Sequence, residues 1–356
     1  MLARRSDLMH HHVLAAELNA APEMETHNFF LNKHGRLRSG WRVGIFVVAF
    51  AVATKLLEVI FLAAFALAFK SSPEEALSGY KGFIVQSAIL FTAAAVVGWA
   101  CGALLEALPL RALGWARHKG WLRDFVVGSI IGSLSLALAA LLGTLARGFH
   151  FSFDSSTSVP AIGATLVLSA LLFVFAASAE EVLFRGYPLQ TLTRAHLAWL
   201  GIFLTSVPFA AAHLYNPHVV RGVTFVNTAL AGVWLAIAYL RTRSLWLPLG
   251  LHWSWNWAMG SVLGLPVSGI DKLAPAPLLR ATDAGPAWLT GGSYGPEGGA
   301  VCTLALLASI AFIWRTRWLS ATEEMKGFTD KENPPSNPVL RQEGEGLGQD
   351  NSGLQS

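Results

Sequence analysis

The chain has 356 residues, of which 53% are hydrophobic and only 13% are charged, and its formal net charge is +4. This composition excludes an ordinary water-soluble domain, and the small charge argues against a nucleic-acid partner. It is typical of an integral membrane protein that crosses a bilayer several times.

Eight apolar stretches are candidates for membrane-spanning helices, which need about 20 residues each. They are residues 44–69, 82–105, 125–146, 160–180, 197–214, 222–240, 245–265 and 299–314. We therefore predict an all-α fold, a polytopic membrane helix bundle of about eight helices within residues 40–319. A polar N-terminal leader, residues 1–39, precedes the bundle, and a disordered C-terminal tail, residues 320–356, follows it.

Lys and Arg are concentrated in the loops that share a side with the two termini and are sparse in the other loops. Cytoplasmic loops of membrane proteins carry this excess. We predict a multi-pass protein of a prokaryotic cell membrane with both termini in the cytoplasm. Residues 1–43 lack the apolar core of a cleavable signal peptide, and His10, His11 and His12 are interpreted as part of the disordered leader.

Spans one and three each carry a spaced pair of residues. Lys55 and Glu58, in the first span, are three residues apart and are predicted to form an ion pair. Gly128 and Gly132, in the third span, have the spacing that lets membrane helices pack closely.

The fourth stretch ends in two adjacent carboxylates, Glu180 and Glu181, and Arg185 follows one turn later. Neighbouring residues on a helix point about 100° apart, so the two glutamates cannot share one role. Glu181 and Arg185 stand four residues apart with the acid first, the favourable order for an ion pair. This leaves Glu180 without such a partner, as a base that works near neutral pH. The alternative is a cluster of charges at the lipid interface.

Two further pairs of polar or aromatic residues have helical spacing. Phe209 and His213 share a face of the fifth stretch, and His252 and Asn256 share a face of the seventh. Histidine and asparagine inside a membrane helix are costly against lipid, so they are predicted to face the bundle interior or a water-filled cavity.

Three other features are interpreted as structural. Asn227, in the sixth stretch, is predicted to make a packing contact between helices, and Trp253 and Trp257 to form a packing stripe. The Gly- and Pro-rich residues 266–298 are interpreted as a connector rather than a flexible lid.

Straight spans would place the polar side chains at different depths. Glu180 would lie at the cytoplasmic end of the fourth helix, and His213 about 25 Å along the fifth helix, near the far side. The two can meet only if the connection 186–197 enters the membrane, or if the fifth helix starts later or is broken. Pro188 and Pro208 are the candidate break points.

The embedded polar residues together are sufficient for hydrolysis. Glu180 can deprotonate a water molecule, and His252 and Asn256 can donate hydrogen bonds to a developing oxyanion. His213 can orient the water or act as an acid.

The segments EEVLFRG, FAAAH and HWSWN resemble, in order and form, the motifs EExxxR, FxxxH and HxxxN of the CPBP intramembrane proteases, the CAAX-protease and bacteriocin-processing (Abi) family. The resemblance covers about residues 115–265. It implies an eight-helix membrane fold with an intramembrane catalytic cavity that faces the cytoplasm, and hydrolysis of a peptide bond in a membrane-associated substrate. The expected partners are membrane lipid and a peptide or lipidated protein, of the prenylated CAAX type or with a leader.

Carried onto this sequence, the motifs imply a set of catalytic residues and a set of supporting residues. The catalytic residues would be Glu180, His213, His252 and Asn256, and the supporting residues Glu181, Arg185 and Phe209.

The family is commonly described as metalloprotease-like, so a zinc ion needs consideration. Glu180, His213 and His252 could supply the three protein ligands that catalytic zinc usually has. The base would then have to be Glu181, which Arg185 holds. If Glu180 is the base, only two histidines remain as ligands. This favours catalysis without a required cofactor, with zinc as the alternative.

Two other functional classes compete with the protease. One is a non-catalytic membrane scaffold or bacteriocin-immunity protein of the same fold. The other is a proton-coupled transporter, because buried glutamate and histidine also relay protons. Duplicated halves would support a transporter, and the sequence has none that we can detect.

Overall fold

The computed structural model describes residues 29–32, 35–69, 79–271 and 273–330. Within these residues the protein is an all-α membrane bundle with one small two-stranded sheet. The three consecutive histidines and most of the predicted leader lie outside the described residues, as do residues 331–356.

We number the helices and strands in chain order. The helices are α1 (Ser39–Phe69), α2 (Gly79–Glu106), α3 (Trp121–Leu145), α4 (Val159–Arg185), α5 (Tyr187–Arg194), α6 (Ala198–His213), α7 (Val223–Thr242), α8 (Trp246–Trp257), α9 (Ala287–Thr290), α10 (Ala300–Arg315) and α11 (Glu323–Thr329). The strands β1 (Phe149–Ser152) and β2 (Arg280–Asp283) pair antiparallel, with Phe149 opposite Asp283. A π-helical turn, Ala258–Val262, continues α8.

All eight predicted apolar stretches coincide with helices. By length and composition, five helical segments of the described chain can cross a membrane: Ser39–Ala68, Gly79–Glu106, Trp121–Leu145, Val159–Arg194 and Val223–Thr242. Helices α6 and α10 are apolar but have only 16 residues each. The bundle is therefore confirmed, and the number of complete crossings stays a prediction.

The fourth apolar stretch was predicted to end at residue 180, but its helix is longer. Helix α4 continues to Arg185, and α5 follows after a break at Gly186, where a Cβ atom would lie 2.1 Å from the carbonyl oxygen of Val182. Every residue of α5 is buried, so the connection enters the bundle, one of the two solutions that the sequence allowed. Pro208 lies inside α6 without ending it.

A buried charge cluster holds α5 in place. Glu106, at the end of α2, is 2% exposed and lies 2.8 Å from Arg194 Nε and 3.3 Å from Arg42 Nη1. The hydroxyl of Thr191 also donates to Glu106. Because a buried charge must be paired and hydrogen-bonded, this cluster fixes α1, α2 and α5 against one another.

The two ends of the bundle differ in charge. We call the end where α1 begins and α10 ends the basic end, because it carries Arg111, Arg117, Lys119, Arg123, Arg241, Arg243, Arg315 and Arg317. This distribution is the one from which cytoplasmic termini were predicted, and the orientation itself stays a prediction.

We call the opposite end the hairpin end, because β1 and β2 pair there. Arg280 Nη2 lies 2.5 Å from Asp154 Oδ2. Hydrogen bonds from the Ser156 and Thr157 hydroxyls lower the pKa of Asp154 to about 2. The carboxylate therefore stays charged at any physiological pH.

Part of the predicted disordered tail is ordered. Helix α11 begins after Thr322, whose hydroxyl accepts a hydrogen bond from the Met325 amide at 3.3 Å and so caps the helix. Met325 is fully buried. The prediction of disorder from residue 320 is thus wrong for residues 320–330.

Two predicted pairs form as expected. Lys55 Nζ lies 2.7 Å from Glu58 Oε2 on the exposed face of α1. Helices α3 and α8 pack backbone to backbone at Gly128 and Gly132, where added Cβ atoms would lie 2.3 Å from Leu247 O and 2.4 Å from Leu251 O. Close approach of these two helices positions α8, which carries two of the predicted catalytic residues.

We expect Gly132→Ala to destabilise the protein by about 1–3 kcal/mol, because the new methyl group overpacks the α3–α8 contact. The measurement is thermal unfolding of purified protein in detergent. Gly163→Ala is the matched control, since nothing lies within 4 Å of a Cβ atom at that helical position. Equal stability of the two variants would contradict the close contact.

Candidate active site

A cavity of about 200 Å³ lies inside the bundle among α4, α6, α7, α8 and α10. Its wall contains all four predicted catalytic residues and the supporting Phe209: Glu180, Phe209, His213, His252 and Asn256. The remaining two predicted residues, Glu181 and Arg185, are fully buried beside it. The fold therefore brings all seven together from three helices.

The site lies near the middle of the bundle rather than at the end of a span. Arg185 Nη2 donates to the carbonyl of Gly232 at 3.2 Å, and Gly232 is the tenth residue of the 20-residue α7. Because α4 continues beyond Glu180, the carboxylates reach this depth and the conflict with His213 disappears. The prediction that Glu180 ends a membrane span was wrong for this reason.

Glu181 links Arg185 and His252. Glu181 Oε1 lies 3.2 Å from Arg185 Nη1, as predicted from their spacing, and 2.9 Å from His252 Nδ1, which spacing could not predict. A carboxylate paired with arginine is ionised and can only accept, so His252 Nδ1 carries a proton. Glu181 thus fixes both the orientation and the tautomer of His252.

Glu180 faces the cavity. Its side chain is 30% exposed, and its Oε2 lies 3.6 Å from His252 Nε2. That distance is too long for a direct hydrogen bond. Glu180 Oε2 has no hydrogen-bond partner among the described residues, although the atom is buried. Glu180 is thus the less constrained of the two carboxylates, in agreement with the sequence analysis.

Phe209 contacts the guanidinium group and both imidazole rings of the site. Its ring centroid lies 4.5 Å from the Arg185 guanidinium carbon, 4.6 Å from the His213 ring and 6.2 Å from the His252 ring. An aromatic face attracts a cation, the more so where water is excluded. Phe209 therefore adds a cation–π contact to the ion pair that Arg185 makes with Glu181.

The tautomer of His213 is set by a local hydrogen bond. Its Nδ1 lies 2.8 Å from the carbonyl oxygen of Phe209, which can only accept, so Nδ1 carries the proton. The other nitrogen, Nε2, is left for the cavity.

Asn256 lies one turn beyond His252 on α8. Its amide lines the cavity and has no hydrogen-bond partner in the part of the chain that the structure describes. The neighbouring Trp253 and Trp257 pack as predicted, since their indole N–H groups donate to Ala170 O at 3.0 Å and Leu166 O at 2.9 Å on α4. The two tryptophans therefore stabilise the α4–α8 contact.

Sequence reasoning missed Glu297, which also lines the cavity. Its Oε2 accepts from the backbone N–H of Ser268 at 2.7 Å and the hydroxyl at 2.8 Å, and its Oε1 accepts from Trp255 Nε1 at 3.3 Å. Glu297 is the one acidic residue between Asp283 and Glu323, in an otherwise apolar, Gly-rich segment. That isolation was the available signal.

The segment 266–298 was predicted to be a plain connector. It instead forms a wall of the cavity. Asn227 Nδ2 donates to Glu297 O at 3.0 Å and to Gly299 O at 2.9 Å, and Thr303 donates to Asn227 Oδ1. Asn227 thus does join α7 to α10, as predicted, and it also fastens this segment. Tyr294 is fully buried there, and burial raises the pKa of its phenol.

A catalytic zinc ion usually binds about three protein ligands, and the positions of the side chains can be compared with that requirement. His213 and His252 are each hydrogen-bonded through Nδ1, which leaves Nε2 of each ring available as a ligand. Across residues 29–32, 35–69, 79–271 and 273–330, no three His, Cys, Asp or Glu side chains group closely enough to hold a metal ion. The donors do not fit a three-ligand site as placed, and we derive no step through a metal.

Residues 161–258 match the model of the family described as Type II CAAX prenyl endopeptidase Rce1-like. The match spans nearly all of α4 through α8 and contains all seven predicted site residues, whereas Glu297 lies outside it. No curated protein and no solved structure matches the chain. The match agrees with the resemblance to CPBP proteases and indicates a membrane protease.

We expect Arg185→Ala to destabilise the protein by about 3–5 kcal/mol, because it leaves Glu181 buried with its main counter-charge removed. The measurement is chemical or thermal unfolding in detergent. Arg280→Ala is the control, since it breaks an ion pair at the hairpin end whose arginine is largely exposed, and it should change the stability little. A stable but inactive Arg185→Ala protein would instead give the arginine a role in binding substrate.

We expect Glu297→Ala to loosen the cavity wall, because the Ser268 N–H loses its acceptor. Hydrogen exchange of residues 267–270 should become at least about tenfold faster, as expected when a hydrogen bond worth about 1.5–3 kcal/mol is lost. Glu324→Ala, on an exposed face of α11, should leave this exchange unchanged. Unaltered exchange in Glu297→Ala would mean that the carboxylate does not hold the segment.

Proposed function

We propose, since residues 161–258 match the model of the Rce1-like family of type II CAAX prenyl endopeptidases, that the chain is an intramembrane endopeptidase that cleaves a membrane-associated substrate by glutamate-activated water. One observation carries this proposal. Glu180 lies 3.6 Å from His252 in a cavity inside the bundle, while Glu181, which is paired with Arg185, binds the other ring nitrogen of His252.

Glu180 is the proposed general base. It is partly desolvated, it faces the cavity, and its Oε2 has no hydrogen-bond partner among the described residues. It takes a proton from water, and the resulting hydroxide attacks the carbonyl carbon of the substrate. The protonated Glu180 then returns the proton to the leaving amine, so that no net proton is consumed.

His252 and Asn256 are the proposed donors to the oxyanion. Because Nδ1 of His252 carries a proton bound to Glu181, Nε2 can donate only when the ring is a cation. Glu180 and Glu181 lie on either side of the ring, near Nε2 and Nδ1 respectively. The amide of Asn256 supplies the second donor, one helical turn away.

His213 is proposed to orient the attacking water or to act as an acid. With its Nδ1 bound to a carbonyl, its Nε2 accepts when the ring is neutral and donates when it is charged. Phe209 sets this geometry from one turn earlier on α6 and makes no proposed contact with the reacting atoms.

The proposed substrate is a membrane-associated protein, of the prenylated CAAX type or with a leader, that enters from the cytoplasm. The position of the site halfway along α7 supports a substrate that reaches membrane depth. The wall formed by segment 266–298 lies at the hairpin end, which the charge pattern predicts to face away from the cytoplasm. An entrance elsewhere on the cavity is therefore compatible with a cytoplasmic substrate.

We expect Glu180→Gln to lower the hydrolysis rate by about 100-fold or more, because it keeps the shape of the side chain and removes the base. The assay uses purified protein with a prenylated CAAX-type peptide, together with a comparison of new protein N-termini in cells with and without the variant. Glu324→Gln is the matched control, at the basic end of the bundle.

The outcomes separate the parts of the proposal. One outcome is that the wild type does not cleave the prenylated peptide, while cleavage in cells is lost in the Glu180→Gln variant. This outcome would support a protease and reject the CAAX-type substrate. Full activity of the Glu180→Gln variant would reject Glu180 as the general base. No cleavage by the wild type in either assay would favour the non-catalytic scaffold.

The same assay addresses the cofactor, which we propose is not required. Protein that elemental analysis finds free of metal should keep its activity. Activity that a chelator abolishes and Zn²⁺ restores would overturn this part and make Glu180 a ligand or the neighbour of one.

A further inference from the structure

A second cavity, of about 500 Å³, runs along the outer surface of the bundle between α3 and α10. We call it the outer groove. Its side chains are apolar apart from Ser135, Ser309 and Thr316. Ser135 donates to Ile131 O at 2.7 Å, and Ser309 accepts from Trp234 Nε1 at 2.9 Å, so both hydroxyls are engaged within the protein. The groove suits an alkyl chain rather than a polar ligand.

A third cavity, of about 400 Å³, lies at the basic end of the bundle. We call it the basic cleft. Its charged side chains are Arg241, Arg243, Arg317, Lys326 and Asp330. Four cations therefore face one acid. The cleft suits an anion.

The hydrogen bonds of the cleft leave part of its charge unused. Arg243 Nε pairs with Asp330 Oδ1 at 3.0 Å, but Arg243 Nη1 is buried without a hydrogen-bond partner among the described residues. Arg241 Nε is likewise buried without a hydrogen-bond partner among the described residues, while Arg241 Nη2 donates to Leu319 O at 2.7 Å. Arg317 has no carboxylate partner within the described chain. The guanidinium groups of Arg243 and Arg317 thus keep N–H donors for an anion such as phosphate.

The outer groove and the basic cleft meet at Leu319, which lines both. Beside it, Trp318 is 75% exposed, and Arg123 donates to its carbonyl at 2.8 Å. Exposed tryptophan flanked by arginine is typical of the level of lipid headgroups. A ligand that occupies both cavities must be apolar at one end and anionic at the other.

We propose that the outer groove and the basic cleft form one binding site for an anionic phospholipid. An acyl chain lies in the groove between α3 and α10, and the phosphate binds Arg243 and Arg317 in the cleft. The site shares no lining residue with the catalytic cavity and does not depend on the proposed function. Anionic lipids of this kind are available at the cytoplasmic surface, where the charge pattern predicts the basic end to lie.

The experiment is native mass spectrometry of the full-length protein in detergent with phosphatidylglycerol or phosphatidylcholine of the same acyl chains. We expect the anionic lipid to bind at least about tenfold more tightly. Arg317→Gln should remove most of this difference, and Arg243→Gln should do the same. Asp330→Asn removes the one acid of the cleft, so it should preserve or increase the preference.

The groove is tested separately. Ala308→Trp fills the outer groove and should weaken binding about tenfold, whereas Leu307→Trp, on an exposed face of α10 outside the groove, should not. Thermal unfolding of each variant establishes that it is folded. Inorganic phosphate should neither stabilise the protein nor displace the lipid at millimolar concentration.

Four results would overturn the proposal. They are equal binding of the two lipids, an undiminished preference in folded Arg317→Gln, equal binding by the two tryptophan variants, and stabilisation by phosphate alone to the level reached with lipid. The last would make the cleft a site for a free anion.

Discussion

The structure depends on one constraint: Glu181 and Arg185 are charged side chains that are wholly buried inside a membrane bundle. Isolated charges at that depth are very costly, so each must find its partners within the protein. Arg185 contacts α7 through the Gly232 carbonyl and α6 through the Phe209 ring, while Glu181 binds His252 on α8. Four helices are thereby fixed around the same pair. The stability of the bundle and the geometry of the site cannot be varied independently.

The sequence predicted the helices well, because apolar stretches of membrane length have few other uses. Their spacing also placed the candidate site residues on single helix faces, and the fold brings those faces together around one cavity. It could not predict α5, whose Thr191 and Arg194 are polar, since the partner that allows their burial, Glu106, comes from a distant helix. The bond between Glu181 and His252 was missed for the same reason. Spacing reveals contacts within a helix, not between helices.

The wall at the hairpin end shows a second limit. Segment 266–298 has no helical or strand period, so its sequence resembles a loop that merely connects two spans. Its position comes instead from individual hydrogen bonds to Glu297, Ser268 and Asn227. Glu297 lies outside the family match, yet it borders the same cavity as Glu180. The cavity is thus built partly from residues outside the matched region.

The glycine contact between α3 and α8 also bears on how the chain is assembled during synthesis. Helix α8 carries Pro248, His252 and Asn256 within 12 residues, which makes it a poor candidate for entering the bilayer unaided. Its docking surface on α3 is translated earlier, before α4 to α7. Helix α3 must therefore wait in the membrane with its glycine face uncovered. Integration of α8 then becomes a late step, which follows the synthesis of the helix that it packs against.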